Sequence, residues 1–115
     1  MRILLFCFVL LLPAFAYGGE AVSAPQTSIA IGASSTVVST RTTRKLLILQ
    51  NTSDTAIWCS LDGSGAAVGL GIGLDQQPGA GRPGGGIFFD VVTTIGAINC
   101  IHGSTGDKFL TLIEG

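Results

Sequence analysis

His102 stands immediately before Gly103 and Ser104. An imidazole beside a hydroxyl invites a Ser/His/Asp relay, with the ring as base and the serine as nucleophile. The Gly-x-Ser-x-Gly elbow that presents such a serine is absent, and no helix is expected to follow one. A lone histidine at a strand end reads instead as a turn partner or surface residue, so no catalytic residue is assigned. Paired carboxylates for sugar cleavage must flank a cleft. Asp54, Asp62 and Asp75 fall at turns, where aspartate has a local backbone role. Asp90 falls inside a strand and reads as a buried or edge carboxylate. The glycines between Gly63 and Gly86 lack the strand–loop–helix setting and terminal Lys-Ser/Thr of a phosphate cradle.

Two further patterns concern the surface. Arg41, Arg44 and Lys45, with Thr42 and Thr43 between them, form the one basic cluster, which suits a solvated strand entrance. Asn51-Thr52-Ser53 fits the acceptor pattern for N-glycosylation, which matters only in a eukaryotic secretory route.

The N-terminus sets the compartment. Met1-Arg2 is followed by an unbroken apolar run from Ile3 to Leu12, then Pro13 and a small-x-small Ala14-Phe15-Ala16. That is the layout of a secretory signal peptide. The apolar stretch is shorter than the ~20 residues a spanning helix needs. Residues 1–16 are therefore expected to be removed, leaving Tyr17 at the mature start. An uncut anchor is the alternative, and it would be the chain's one route to a membrane.

Cys7 leaves with this segment, and Cys59 and Cys100 remain. In an oxidising compartment two cysteines permit one intramolecular disulfide. Two separate buried thiols are the competing arrangement. The pair together with His102 lacks the close spacing of zinc ligands, so no metal site and no cofactor are expected. Localisation is read as secreted, extracellular or periplasmic.

Composition narrows the class further. The 115-residue chain has 11% charged and 47% hydrophobic residues, with 17 glycines. That excludes a disordered polar tail. Lys plus Arg number 6 against 7 acids, which excludes a nucleic-acid binder built on a basic face.

The elements that would position these residues read as strands. Residues 17–27 are small and polar and form a flexible arm; residues 28–115 form one domain. Strands are expected over 28–32, 36–43, 45–51, 55–61, 66–74, 87–92, 97–102 and 107–114. Ile57, Cys59 and Leu61 share one face of the fourth, and Trp58 lies on the other. No window carries the three-four spacing of an amphipathic helix. About eight short strands at this spacing specify an all-β antiparallel sandwich, jelly-roll-like, whose largest core pieces are Trp58, Phe88, Phe89 and Phe109. Over 66–74, Val68, Leu70, Ile72 and Leu74 alternate with Gly69, Gly71 and Gly73. This predicts a strand with one face bare of side chains. That face, Arg82 in the Gly/Pro loop 75–86, and Trp58 are the expected interaction residues.

From Arg44 onward the chain resembles small β-sandwich structural proteins of tailed bacteriophages, associated with heads and fibres. The likeness is carried by Arg44-Lys-Leu-Leu-Ile-Leu-Gln-Asn51 with Ser53-Asp54, by Ala56-Ile57-Trp58, by Pro78-Gly79, by Gly86-Ile-Phe-Phe-Asp90, by Gly96-Ala-Ile-Asn99, and by the closing Glu114-Gly115. The resemblance implies a non-enzymatic, surface-exposed subunit of a particle, at a virion surface, that contacts copies of itself or another structural protein. A secreted module that binds a glycan or small ligand through Trp58 or Tyr17 is the alternative.

Overall fold

The computed structural model describes residues 24–90 and 96–115. The expected signal segment 1–16 and most of the arm 17–27 lie outside the described residues, as do Val91 and Val92.

Eight strands form two four-stranded antiparallel sheets. They are β1 (Gln26–Ile31), β2 (Thr36–Ser39), β3 (Leu46–Asn51), β4 (Ile57–Ser60), β5 (Ile72–Leu74), β6 (Gly86–Asp90), β7 (Ile98–His102) and β8 (Lys108–Glu114). The first sheet has the order β1-β8-β3-β6 and the second β2-β7-β4-β5. First pairs with last, second with seventh, third with sixth and fourth with fifth. This nesting is one long hairpin wrapped into two sheets, which is the double-sheet jelly roll.

Strand periodicity explains which side chains meet between the sheets. In β3, Leu47, Leu49 and Asn51 point inward and are buried, while Leu46, Ile48 and Gln50 alternate outward. In β8, Leu110 and Leu112 are buried, and Phe109, Thr111 and Ile113 face out. Ile57 and Cys59 of β4 turn inward as expected, opposite His102 and Cys100 of β7. Each fully buried Leu or Ile here contributes ~1.5–3 kcal/mol of transfer free energy.

The core is thus aliphatic, which corrects the expectation that the aromatics fill it. Phe88 and Phe109 are 62% and 48% exposed. Trp58 is half-buried on the outer face of the second sheet, and only Phe89 packs against the core. The reason is parity. Trp58 lies between inward Ile57 and Cys59, Phe88 between inward Ile87 and Phe89, and Phe109 just before inward Leu110.

Several strand bounds also differ. Gln26 and Thr27, expected in the flexible arm, already belong to β1 and pair with Ile113 and Leu112. The strand expected over 36–43 ends at Ser39, after a register shift between Val37 and Ser39. The long strand expected over 66–74 forms only at 72–74. Gly69 and Gly71 adopt φ of 81° and 87°, which no extended strand accommodates. Leu70 N–H instead donates to Ala67 O, closing a turn.

Candidate functional site

Cys59 and Cys100 are bonded to each other and sit directly opposite on β4 and β7, with Cα atoms 4.2 Å apart. Both are fully buried. The bridge is compatible with an extracellular or periplasmic location.

His102 is also fully buried, and both ring nitrogens are engaged. Nδ1 accepts from Ser104 N–H at 3.0 Å, and Nε2 lies 2.6 Å from Gly106 O. The second contact requires a donor, so the ring is the Nε2–H tautomer. The histidine clasps the 103–106 turn and offers neither nitrogen to a substrate. Asn51 is equally committed. Its Nδ2 donates to Thr55 O at 2.7 Å and Leu74 O at 2.9 Å, while Oδ1 accepts from Ser53 N–H and Ser53 Oγ. The sequon asparagine therefore has no room for a glycan in the folded domain.

The basic cluster divides in the same way. The Arg44 side chain is buried, and its Nε donates to Glu114 Oε2 at 3.1 Å. Its other nitrogens reach Gly96 O and Arg41 O. Arg41 and Lys45 remain exposed. The cluster is a clasp between the β2–β3 loop and the end of β8.

The expected glycine face separates into three unlike positions. Gly69 sits exposed in the turn. Gly71 lies against β4: a Cβ there would stand 2.4 Å from Cys59 O, so only glycine fits. Gly73 lies opposite Trp58 in register, and its missing side chain leaves room for the indole. Arg82 is exposed in the loop after β5, its N–H donating to Gly79 O. Of the predicted interaction residues, Gly71 lines the cavity beside β4.

That cavity holds about 480 Å³ at one end of the second sheet, between the end of β4 and the 67–72 segment. Leu61, Leu70 and Ile72 give it apolar walls, and Ser60, Asp62 and Ser64 a polar one. Asp62 Oδ1 accepts from Ser60 Oγ at 2.8 Å, Ser64 N–H at 3.0 Å and Ser64 Oγ at 2.5 Å. The Ser64 hydroxyl bond, then the Ser64 amide and the Ser60 hydroxyl, lower the Asp62 pKa from 3.8 to about 2. The carboxylate is anionic at any ordinary pH and suits a hydroxyl-bearing or cationic ligand group. Sequence reasoning placed Asp62 in a turn and missed the cavity; its signal was the Ser60-x-Asp62-x-Ser64 spacing around a turn.

A second feature was missed. On the outer face of the first sheet, Ile113, Ile48 and Phe88 stand in register across β8, β3 and β6. Phe88 ends this row on the edge strand. Among the described residues, no cluster of three His, Cys, Asp or Glu side chains comes together, and no helix is long and apolar enough to cross a membrane.

No protein-family model, curated protein or solved structure matches this chain. The resemblance to phage β-sandwich proteins rests on the sequence patterns alone.

Proposed function

We propose that this protein is a non-catalytic structural subunit, exported and working by surface contact within a virion or an extracellular assembly. The observation that carries the reading is the row Ile113–Ile48–Phe88. A sheet face turned to solvent is normally polar, yet here three apolar side chains align on it and the outermost is 62% exposed. Contiguous exposed apolar surface marks contact sites. The side chains with catalytic potential point the same way, because His102, Asn51 and Arg44 are spent on holding turns and termini. The double-sheet jelly roll serves both viral capsid and lectin domains, so the architecture accommodates the reading by analogy only.

Gradient sedimentation of the medium and cell envelope of the producing organism tests this. The protein is expected in fast-sedimenting particles or fibres, at its leaderless mass. Recovery solely as free, slowly sedimenting protein contradicts it.

The cavity beside Asp62 favours a second reading, a secreted module for a glycan or small ligand. Half-apolar walls with a few convergent polar groups are the usual make-up of such sites. Chemical-shift perturbation of Ser60, Asp62 and Ser64 by a panel of sugars and small amines decides this reading; unmoved resonances exclude it for those ligands.

A further inference from the structure

We infer that β6 is a self-pairing edge: two copies of this chain join β6 to β6 antiparallel about a two-fold axis at Phe88, making one continuous eight-stranded sheet. This rests on the surface-contact reading above and names its first partner, a second copy.

The two sheets have four edge strands, β1 and β6 in one, β2 and β5 in the other. Natural sheets blunt their edges with shortness, proline, charge or irregularity. β5 has three residues. β2 has four and a register shift. β1 follows Pro25 and opens with Gln26-Thr27-Ser28. β6 has no proline and no irregularity, and its single charge stands only at its last position: it is Gly-Ile-Phe-Phe-Asp, in unbroken register with β3 from Gly86 to Asp90.

The ladder shows which groups that edge offers. Asn51 N–H donates to Gly85 O at 2.9 Å, one bond beyond the last β3–β6 register pair. Bonding alternates along an antiparallel ladder. Ile87 and Phe89 therefore bond β3, and the N–H and C=O groups of Gly86, Phe88 and Asp90 face the open edge. Among the described residues no strand pairs with it.

The edge is complementary to itself. Antiparallel pairing centred on Phe88 places Phe88 against Phe88 of the second copy, and Gly86 against Asp90 at each end. Asp90 is the one charged residue of the strand, so no like charges oppose. Each Asp90 then lies at the end from which the second copy's Arg82 loop departs. The outward row continues unbroken across the axis: Ile113, Ile48 and Phe88 of one copy, then Phe88, Ile48 and Ile113 of the other. Association thus gains apolar burial on the very face that is anomalously apolar.

The test uses protein expressed from the full sequence and recovered with Cys59 and Cys100 bridged, followed by sedimentation velocity and amide exchange over a concentration series up to about 1 mM. The expected result is a monomer–dimer equilibrium in which the amides of Gly86, Phe88 and Asp90 gain protection as dimer forms, while those of Ile87 and Phe89 stay as they were. Phe88→Lys weakens the dimer roughly tenfold or more. Phe88→Pro deletes the central edge N–H without touching the β3 ladder and has the same effect, with the β-sheet circular dichroism retained. A monomer at every concentration overturns the inference. So does protection at Phe88 that ignores concentration, which assigns the edge to another segment of this chain, and so does a dimer indifferent to both variants, which assigns it to another surface. Any of these leaves the assembly reading standing if the protein still sediments with particles; a β6 dimer found only free in solution sinks the assembly reading and spares the edge.

Discussion

Trp58 occupies the space that a side chain on Gly73 would fill. A Cβ built on Gly73 would stand 2.8 Å from Trp58 Cζ3 and 3.1 Å from Cε3. The two residues face each other across the β4–β5 pair. A large ring thereby covers an edge strand too short and glycine-rich to hold itself. Gly73→Ala forces the indole outward. The expected outcome is a red-shifted tryptophan emission and a loss of ~1 kcal/mol in stability. An unchanged spectrum would show that the ring is not seated there.

The Cys59–Cys100 bridge closes a separation of 41 residues. Replacing both cysteines by alanine is expected to cost ~2–5 kcal/mol, mainly by freeing the unfolded chain. Alkylation of the unreduced native protein followed by intact mass should add nothing at Cys59 or Cys100. Two added groups on those residues contradict the bridge.

Asn51 ties β3 to the Ser53–Thr55 turn and to Leu74 through one amide. Asn51→Ala takes the side-chain donor from the buried Leu74 carbonyl and the acceptor from the Ser53 N–H, while Thr55 O keeps the Ser53 hydroxyl. A loss of ~2–3 kcal/mol in denaturant unfolding is expected. A loss below ~0.5 kcal/mol would place it among ordinary surface substitutions and contradict the network.

Two exposed carboxylates contribute to the acid limb of stability. The hydrogen bond and charge of Lys108 Nζ, 2.8 Å away, hold Asp54 below the usual carboxylate range. Asp62 falls to about 2 through its serines. A group whose pKa is depressed by folding stabilises the folded state above its unfolded value and loses that contribution as pH falls through the folded one. The thermal midpoint is therefore expected to fall between pH 3.8 and about 2, and more shallowly in Asp62→Asn. Parallel curves for the two proteins contradict the Asp62 assignment.

Much of the fold was legible because it depends on local pattern. The run Leu46–Asn51 and the alternation Ile57, Cys59 located β3 and β4 and put the cysteines inside, where neighbouring strands bring them together. The same reasoning failed where glycine imitated a pattern. Over 66–71 the alternation came from glycines rather than outward polar side chains, and positive φ at Gly69 and Gly71 bent the chain into a turn and a cavity wall. The solid apolar run of β3 does not by itself say which of its faces is core. In the fold one face is core and the other carries half-buried Ile48 in the outward row. Which aromatic residues stay outside was equally hidden, because a one-residue phase reverses every side chain in a strand. The cavity wall beside Asp62 and the apolar row are tertiary products that no local motif announces.

The surface-contact account is tested most directly by incorporation of an Ile48→Lys chain. Ile48 lies at the centre of the row, between Ile113 and Phe88, and belongs neither to the core cluster nor to the side chains packed against it. Expressed in the producing organism beside the unaltered protein, the variant is expected to fold and form its bridge yet remain outside the fast-sedimenting fraction that holds the unaltered chain. Equal incorporation of both chains would contradict the account.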